Sequence, residues 1–293
     1  MTVWNFGSIN IDYVYRLPHL PAPGETLAAQ SLNQGLGGKG ANQSVAVARA
    51  GLNPRHIGAV GAEGAWVKYR LEELGVDVDH VAQSDGPSGH AIINVDDAAE
   101  NSIVIVPGAN QALAEPDLTK ALAGAAPGDL LLLQNETNLQ AEAARIGNAK
   151  GMRVIYSAAP FEAAAVTAVL EHASILVMNK GESEALTKAL GLKLTELPVE
   201  GVLVTLGGDG AAYYDLKAGH MHAVPAFPVA PVDTTGAGDT FTGYFAAGLD
   251  QGLPIDEILR LAAGAAALQV TRAGAADAIP DRAEVDAFIA RNI

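Results

Sequence analysis

The amino-acid sequence predicts an α/β protein: a doubly wound, mostly parallel sheet with helices on both faces, plus a small β-sheet lid. Three observations predict it. Apolar, strand-like runs alternate with Ala/Leu-rich stretches of helical pattern. Short Gly-containing turns join them, as expected where helices cover both faces of a parallel sheet. Two β-rich segments, 11–36 and 90–106, carry no helix between their strands and interrupt the rhythm.

In chain order, residues 3–7 open the pattern as a buried strand, followed by the β-rich stretch 11–36 and an expected helix over 42–50. A strand over 53–60 and a helix over 66–74 come next. Within the second β-rich segment, 91–95 and 102–106 flank the polar, turn-rich link 96–101, which reads as a hairpin. A helix over 112–124 then precedes strands at 129–133, 153–156, 175–178 and 202–206, with helices over 140–150, 162–173 and 181–190 between them. Ala-rich stretches at 238–252 and 256–270 read as two close-packed helices. No Pro/Ser-rich linker divides the chain, so one domain, 1–293, is expected, with the two β-rich segments inserted as a lid over the site.

Composition removes several functions. With 18 Lys and Arg against 33 Asp and Glu, the formal charge is −15, the wrong sign for a general nucleic-acid binder. Apolar residues at 49% and charged residues at 17% give the balance of a compact enzyme rather than a disordered chain. There is no cysteine, which excludes disulfides, thiolate zinc sites and cysteine nucleophiles, and agrees with a reducing compartment. The apolar stretch 261–270 is about half the roughly 20 residues of a membrane span, and the opening MTVWNFGSIN lacks the pattern of a signal peptide. The expectation is a cytoplasmic protein without membrane contact. No HExxH pair or GxSxG elbow supports a zinc peptidase or an α/β-hydrolase triad, and His220 and His222 alternate along an exposed strand.

Several loops can carry chemistry. Gly35-Leu36-Gly37-Gly38-Lys39-Gly40 matches GxGxxG, but it lies far from the first strand and no acidic residue follows at dinucleotide-site spacing. It is either a tight turn into the next helix or a backbone that comes close to a polar ligand held by Lys39 and Asn42. Asp233-Thr-Thr-Gly-Ala-Gly-Asp239-Thr-Phe leads straight into a helix. The small residues Gly236, Ala237 and Gly238 leave amides open at a helix N-terminus, which binds phosphate oxygens, whereas simple capping needs no Gly-Ala-Gly. Asn179 and Glu182 have capping-box spacing. Thr205, Gly207 and Gly210 sit in what reads as a hairpin turn. Glu136 stands just past a strand, at the carboxyl end where α/β enzymes bind ligands.

Taken in order, Asn10-Ile-Asp12, Gly37-Gly-Lys-Gly-Ala-Asn42, Asn179-x-x-Glu182 and the 233–241 segment resemble the ribokinase/phosphofructokinase-B family of carbohydrate kinases over nearly the whole chain. The resemblance implies ATP-dependent phosphorylation of a sugar primary hydroxyl, first the 5-hydroxyl of D-ribose. The alternatives are another pentose, a ketohexose or a nucleoside as acceptor, or a non-catalytic sugar-binding regulator. By that resemblance Asn10, Asp12, Gly38, Lys39, Asn42 and Glu136 hold the sugar, and Asp239 is the catalytic base. Gly236, Ala237 and Gly238 form the anion hole. Asn179 and Glu182 organise the Mg²⁺–phosphate waters, and Thr205, Gly207 and Gly210 line the nucleotide. Asp233, Thr235, Gln269, Arg272, Gly274 and Ala278 correspond to a monovalent-cation loop, implying Mg²⁺ with ATP and K⁺ as activator. The family pattern changes at Gly61-Ala62-Glu63, at Ser157-Ala-Ala-Pro160 and at Ala263 beside the adenine. Apolar lid residues Ile92, Ile93 and Ile105 could cover a nucleoside base, and the lid is expected to carry a homodimer contact.

Overall fold

The computed structural model describes residues 1–98 and 100–292. Its main sheet has nine strands in the order β13-β12-β11-β10-β9-β8-β1-β4-β5. These are β1 (Val3–Phe6), β4 (Arg55–Val60), β5 (Asp77–Gln83), β8 (Leu130–Gln134), β9 (Arg153–Ser157), β10 (Ile175–Asn179), β11 (Gly201–Thr205), β12 (Ala211–Asp215) and β13 (His220–Val224). From β11 to β5 every neighbour is parallel; β12 and β13 add an antiparallel edge. The chain leaves β1 toward β4 and β5, then returns to build β8 to β11 on the other side. The reversal beside β1 opens the crevice in which such sheets bind ligands.

The central strands are mainly apolar, yet their apolar residues alternate in what they face. Trp4, Phe6, Leu131, Leu133, Val154 and Tyr156 belong to one core, packed under α3 (Glu115–Ala121), α4 (Gln140–Ala149), α5 (Ala163–Leu170) and α6 (Lys180–Leu190). Val3, Leu130, Leu132 and Ile155 face the other core, under α1 (Lys39–Arg49), α2 (Ala65–Glu73), α7 (Ala237–Asp250), α8 (Ile255–Gln269) and α9 (Arg282–Arg291). The two-residue period of a strand thus divides one apolar run between two buried layers.

The β-rich segments form a separate four-stranded sheet, β3-β2-β6-β7, from β2 (Asn10–Arg16), β3 (Ser31–Gly37), β6 (Gly89–Val95) and β7 (Asn101–Val106). Residue 99, in the hairpin link, lies outside the described residues. Elsewhere the elements depart from expectation at their ends. The helix expected over 112–124 shrinks to α3, because Pro116 lacks an N–H and suits only a first turn, with 3₁₀ turns at Gly108–Gln111 and Leu122–Gly124 on either side. Three elements the sequence pattern did not single out are β5, β12 and α9. No helix among the described residues is long and apolar enough to cross a membrane.

Candidate active site

The carboxyl ends of β9, β10 and β11 meet the N-termini of α1, α6 and α7 in one cleft of about 200 Å³. Lys39, Ser157, Ala159, Asn179, Glu182, Thr205, Gly236, Ala237, Gly238 and Asp239 line it. Residues far apart in the chain therefore meet, including Ser157 and Ala159 of the segment that departs from the family pattern.

On the lid side, the glycines serve packing first. Gly38 adopts φ 92°, and a Cβ at Gly40 would stand 2.5 Å from backbone atoms of Gly7 and Ser8. Only glycine lets the 37–40 loop lie against the turn after β1. That approach sets Lys39 beside Glu136, whose Oε2 accepts from the Lys39 N–H at 3.0 Å and from the Ser8 hydroxyl. Asn10 and Asp12 stand on the same face of β2. Asp12 is pushed up to about 6, first by burial and then by the Glu136 carboxylate. For Lys39, burial works toward a lower pKa, but Asp239, Glu136 and Glu182 outweigh it and hold the ammonium above its usual value. One cation thus faces three carboxylates.

Asp239 occupies the first turn of α7 and is 8% exposed. Its Oδ2 accepts from Asn42 Nδ2 and its Oδ1 from Gln43 Nε2, both at 3.0 Å. Burial raises its pKa, and Glu136 adds to the rise, while Lys39, Asn42 and Gln43 favour the ionised form. The cap residue Gly236 has φ 77°, and a Cβ at Gly238 would meet nothing within 4 Å. Packing does not demand glycine at 238; the Ala237 N–H makes one long bond, 3.3 Å, to the Thr234 carbonyl, and the helix N-terminus can turn its amides to an anion. A buried carboxylate acceptor beside a cation and a helix N-terminus is the apparatus for deprotonating a hydroxyl next to a developing negative charge.

Asn179 and Glu182 do form the capping box: Asn179 Oδ1 accepts from Glu182 N at 2.9 Å, and Glu182 Oε2 accepts from Asn179 N at 2.7 Å. They also border the cleft, so capping and ligand contact are compatible. Burial raises the Glu182 pKa, against the Asn179 N–H and Lys39. No group of three His, Cys, Asp or Glu among the described residues could cage a metal, so Mg²⁺ has no all-protein site. The remaining oxygen of Glu182 fits a magnesium ion that arrives on a polyphosphate and is reached through water.

Beyond Ala237 a second, mainly apolar pocket of about 410 Å³ is lined by Gly207, Gly208, Gly210, Phe227, Val229, Ala263, Ala267 and Val270, among others. The 207–210 turn is the hairpin turn expected from sequence, between β11 and antiparallel β12, and it also forms this wall.

The loops expected to hold a monovalent cation lie side by side but are already tied by the chain. Gln269, fully buried, donates through Nε2 to Thr235 O at 2.5 Å and Gly274 O at 3.3 Å. Asp233 accepts from the N–H groups of Thr235 at 2.9 Å and Gly274 at 3.0 Å, and these hold its carboxyl below the usual range although burial works the other way. Arg272 pairs with Glu284, and Ala278 is buried in a 3₁₀ turn. The Thr235 and Gly274 carbonyls each keep a second lone pair, and the buried Gln269 Oε1 has no hydrogen-bond partner among the described residues, so the arrangement leaves oxygens that fit a cation.

Alternation also divides the lid isoleucines. Ile93 and Ile105 share the Asp12 face, whereas Ile92 stands on the opposite one. His222 bonds Asp256 at 2.8 Å and takes no part in the cleft.

Sequence reasoning missed the residues behind the cleft. Asn110 receives the Ile9 N–H at 2.9 Å and donates to Asn10 Oδ1 at 2.8 Å, which turns the Asn10 amide N–H groups outward. Gln43, Gln134 and Asn5 were missed too. Their only sequence signal is a polar side chain inside an otherwise apolar strand or helix face.

Comparison with known proteins gives the family and the fold. The model for the pfkB family carbohydrate kinases matches residues 2–282. A ribokinase of Haemophilus influenzae is 36% identical over 304 residues, covering 98% of each chain. The structure of a ribokinase from Cryptococcus neoformans in complex with ADP matches with a TM-score of 0.88 at 32% identity, over 98% of this chain and 99% of that one. The Arabidopsis thaliana ribokinase complexed with ribose and ATP matches with a TM-score of 0.85 at 31% identity, over 98% of both chains.

Proposed function

The chain belongs to the pfkB family of carbohydrate kinases, and from that premise we propose that it transfers the γ-phosphoryl group of ATP to the primary hydroxyl of a pentose, D-ribose first, giving D-ribose 5-phosphate. The observation that carries the reading is Asp239: a buried carboxylate in the first turn of α7, beside Lys39 and the Gly236–Gly238 helix N-terminus.

The residues divide the work. Asn10, Asp12, Gly38, Lys39, Asn42 and Glu136 hold the sugar hydroxyls, and the carboxylates among them accept hydrogen bonds. Asp239 takes the proton of the attacking hydroxyl as its oxygen bonds the γ-phosphorus, and the bond to the β,γ-bridging oxygen breaks to release ADP. The amides at Gly236, Ala237 and Gly238, with Lys39, meet the charge on the moving group. Thr205, Gly207 and Gly210 flank the nucleotide, whose base enters the apolar pocket beside Ala263. Magnesium bound to ATP supplies charge neutralisation on the phosphates, and Asn179 and Glu182 orient its waters.

Two further elements belong to this reading. Potassium is an activator held by the loops of Asp233, Thr235, Gln269, Arg272, Gly274 and Ala278, a reading supported by the free lone pairs of the Thr235 and Gly274 carbonyls and by the unpartnered Gln269 Oε1. The lid carries a homodimer contact: Val14, Ile93, Ile103 and Ile105 share one face of its sheet, with Ile103 52% and Ile105 56% exposed. Light scattering that gives a monomer at micromolar concentration would contradict the dimer. The absence of cysteine supports work in the cytoplasm.

The experiment is an ADP-release screen over ribose, deoxyribose, fructose and nucleosides, with the product identified by phosphorus NMR. Ribose as the best acceptor is the expected result. Turnover confined to fructose or nucleosides would move the assignment to the alternative acceptors, and no turnover with any of them would favour a sugar-binding regulator.

A further inference from the structure

Beneath α1, on the face of the sheet that packs against it, a set of polar side chains is sealed inside an apolar core. Asn5, Gln43, Ser44, His56 and Gln134 are all 0% exposed. None of them lines the cleft. Each must nonetheless find partners, because an unpaired polar group so deep is costly.

Their hydrogen bonds can be oriented without ambiguity. Asn5 lies 2.7 Å from the carbonyl of Gly40, an obligate acceptor, so the atom facing it is the amide nitrogen Nδ2. The second N–H of that nitrogen meets Ser44 Oγ at 2.9 Å. Ser44 can accept it because its own proton goes to His56 Nδ1 at 2.8 Å; His56 Nε2 faces the Gly7 carbonyl at 3.1 Å and must be the protonated nitrogen. Asn5 Oδ1 is thereby left toward Gln134, whose Nε2 donates to it at 2.9 Å. The other N–H of Gln134 goes to Gln43 Oε1 at 2.8 Å. Gln43 consequently presents its amide nitrogen, and not its oxygen, to Asp239 Oδ1 at 3.0 Å. Turning any one amide over would bring two acceptors or two donors together with no water to separate them.

We infer that Gln43, held in one orientation by Gln134 and Asn5, is a positioning residue for Asp239. The polarity of a backbone carbonyl at Gly40 is passed through three amides and reaches the carboxylate as an N–H donor. Oδ1 is fixed and kept as an acceptor, so the carboxylate presents its remaining lone pairs to the incoming hydroxyl. Asn42 cannot do this alone, because the same side chain is assigned to the sugar. The inference rests on the assignment of Asp239 as the base.

The test uses Gln134→Met, which keeps the chain length and breaks the relay one residue away from Asp239, and Gln43→Leu, which removes the donor. The charged groups that also act on Asp239 are Lys39 and Glu136, and both are left intact. The expected result is a fall in kcat of about tenfold for Gln43→Leu and a smaller one for Gln134→Met, with the KM for ribose within about twofold. The acid limb of the kcat profile should move to higher pH, because a donor that favours the ionised carboxylate is lost. Carbon NMR of the labelled Asp239 carboxyl should show the same upward movement in either variant, without any turnover. That measurement separates the two ideas: a wild type inactive on every sugar with a shifted carboxyl in the variants sinks the kinase reading alone. Unchanged carboxyl titration with kcat within about twofold overturns the positioning role, as does lower activity that follows thermal stability with an unmoved pH profile. Should Gln43→Leu fail to fold, Gln134→Met and the wild-type titration decide.

Discussion

Asp239 is held from two sides, and the two sides are built in opposite ways. Behind it lies a floor of buried amides joined by directed hydrogen bonds, two of which end on its carboxylate. In front runs the 233–238 loop, half-buried to exposed, held by the Asp233 carboxylate and one amide of Gln269. The difference follows from what each must do. A general base loses effectiveness if its lone pairs wander, so it is set in a rigid and dry place. The loop must admit a polyphosphate with its metal and release a product, so few bonds hold it. Rigidity belongs to the acceptor side and give to the donor side.

The largest effect should come from breaking the junction itself. Asp239→Asn keeps the shape and one acceptor oxygen but removes the base. Losing a general base costs about 10²–10⁴ in rate, and the loss should fall on kcat with sugar affinity little changed. If the side chain only capped α7, the variant would lose about 1 kcal/mol of stability and turn over normally. A folded variant that retains more than about a tenth of wild-type kcat would end the assignment.

A second test asks whether the sugar wall behaves like the floor. Asp12 is half-buried beside Glu136, and burial first, then the Glu136 carboxylate, push its pKa up to about 6. Below that pH it gains a proton and stops accepting from a sugar hydroxyl, so the KM for ribose should rise about tenfold per pH unit. In Glu136→Gln the second cause of the shift is gone, and the rise should begin at lower pH. A KM flat from pH 7 to pH 5 would remove Asp12 from the sugar site.

These two sides also differ in how far the sequence discloses them. The loop was legible: Gly-Ala-Gly before an Asp at a helix start is a local constraint, written in adjacent residues. The 37–40 glycines were legible for the same reason, although close packing on Gly7 explains them as directly as ligand contact does. The floor was not legible. Gln43 meets Gln134 across 91 positions and Asp239 across 196, and no local pattern encodes such a pairing. The hint available was Asn5 in VWNF and Gln134 in LLLLQ, polar residues where strand alternation points into a core. Edge strand β5 escaped because its Asp and His positions break the apolar run. The split of Ile92 from Ile93 and Ile105 follows from a two-residue period that a list of apolar residues hides.

The loop side can be loosened on purpose. Gln269→Ala frees the carbonyls of Thr235 and Gly274, and two lost hydrogen bonds should lower kcat by about fivefold in tetramethylammonium buffer. Potassium should then restore part of it by meeting the same carbonyls, and should raise the melting temperature of the variant. For the wild type, replacing tetramethylammonium with potassium at matched ionic strength should raise kcat, and equal turnover in the two buffers would reject the cation site.

The smallest effect probes the far end of the floor, through acid. Burial pushes His56 down to about 4, against 6.5 for the free side chain, although its bond to the Gly7 carbonyl works the other way. The unfolded chain therefore takes up a proton near pH 6.5 that the folded protein refuses until about pH 4. The stability that the neutral ring contributes is complete above pH 6.5 and is lost as pH falls toward 4. Between pH 7 and pH 5 the loss amounts to about 2 kcal/mol. Asp12 works in the other direction over the same range: its folded pKa is raised, so acidification favours the folded state. Wild-type melting alone would therefore mislead, and the quantity to follow is the difference from Ser44→Ala/His56→Phe. That pair replaces both partners with apolar groups of similar size, at the cost of one N–H of Asn5, whose amide keeps its bond to Gly40, and of the donor to the Gly7 carbonyl. Both losses are independent of pH and leave the difference readable. The melting temperature of the wild type relative to this variant should fall by several degrees from pH 7 to pH 5. A difference that stays constant with pH would mean that water reaches the ring, and the floor would then be no drier than the loop.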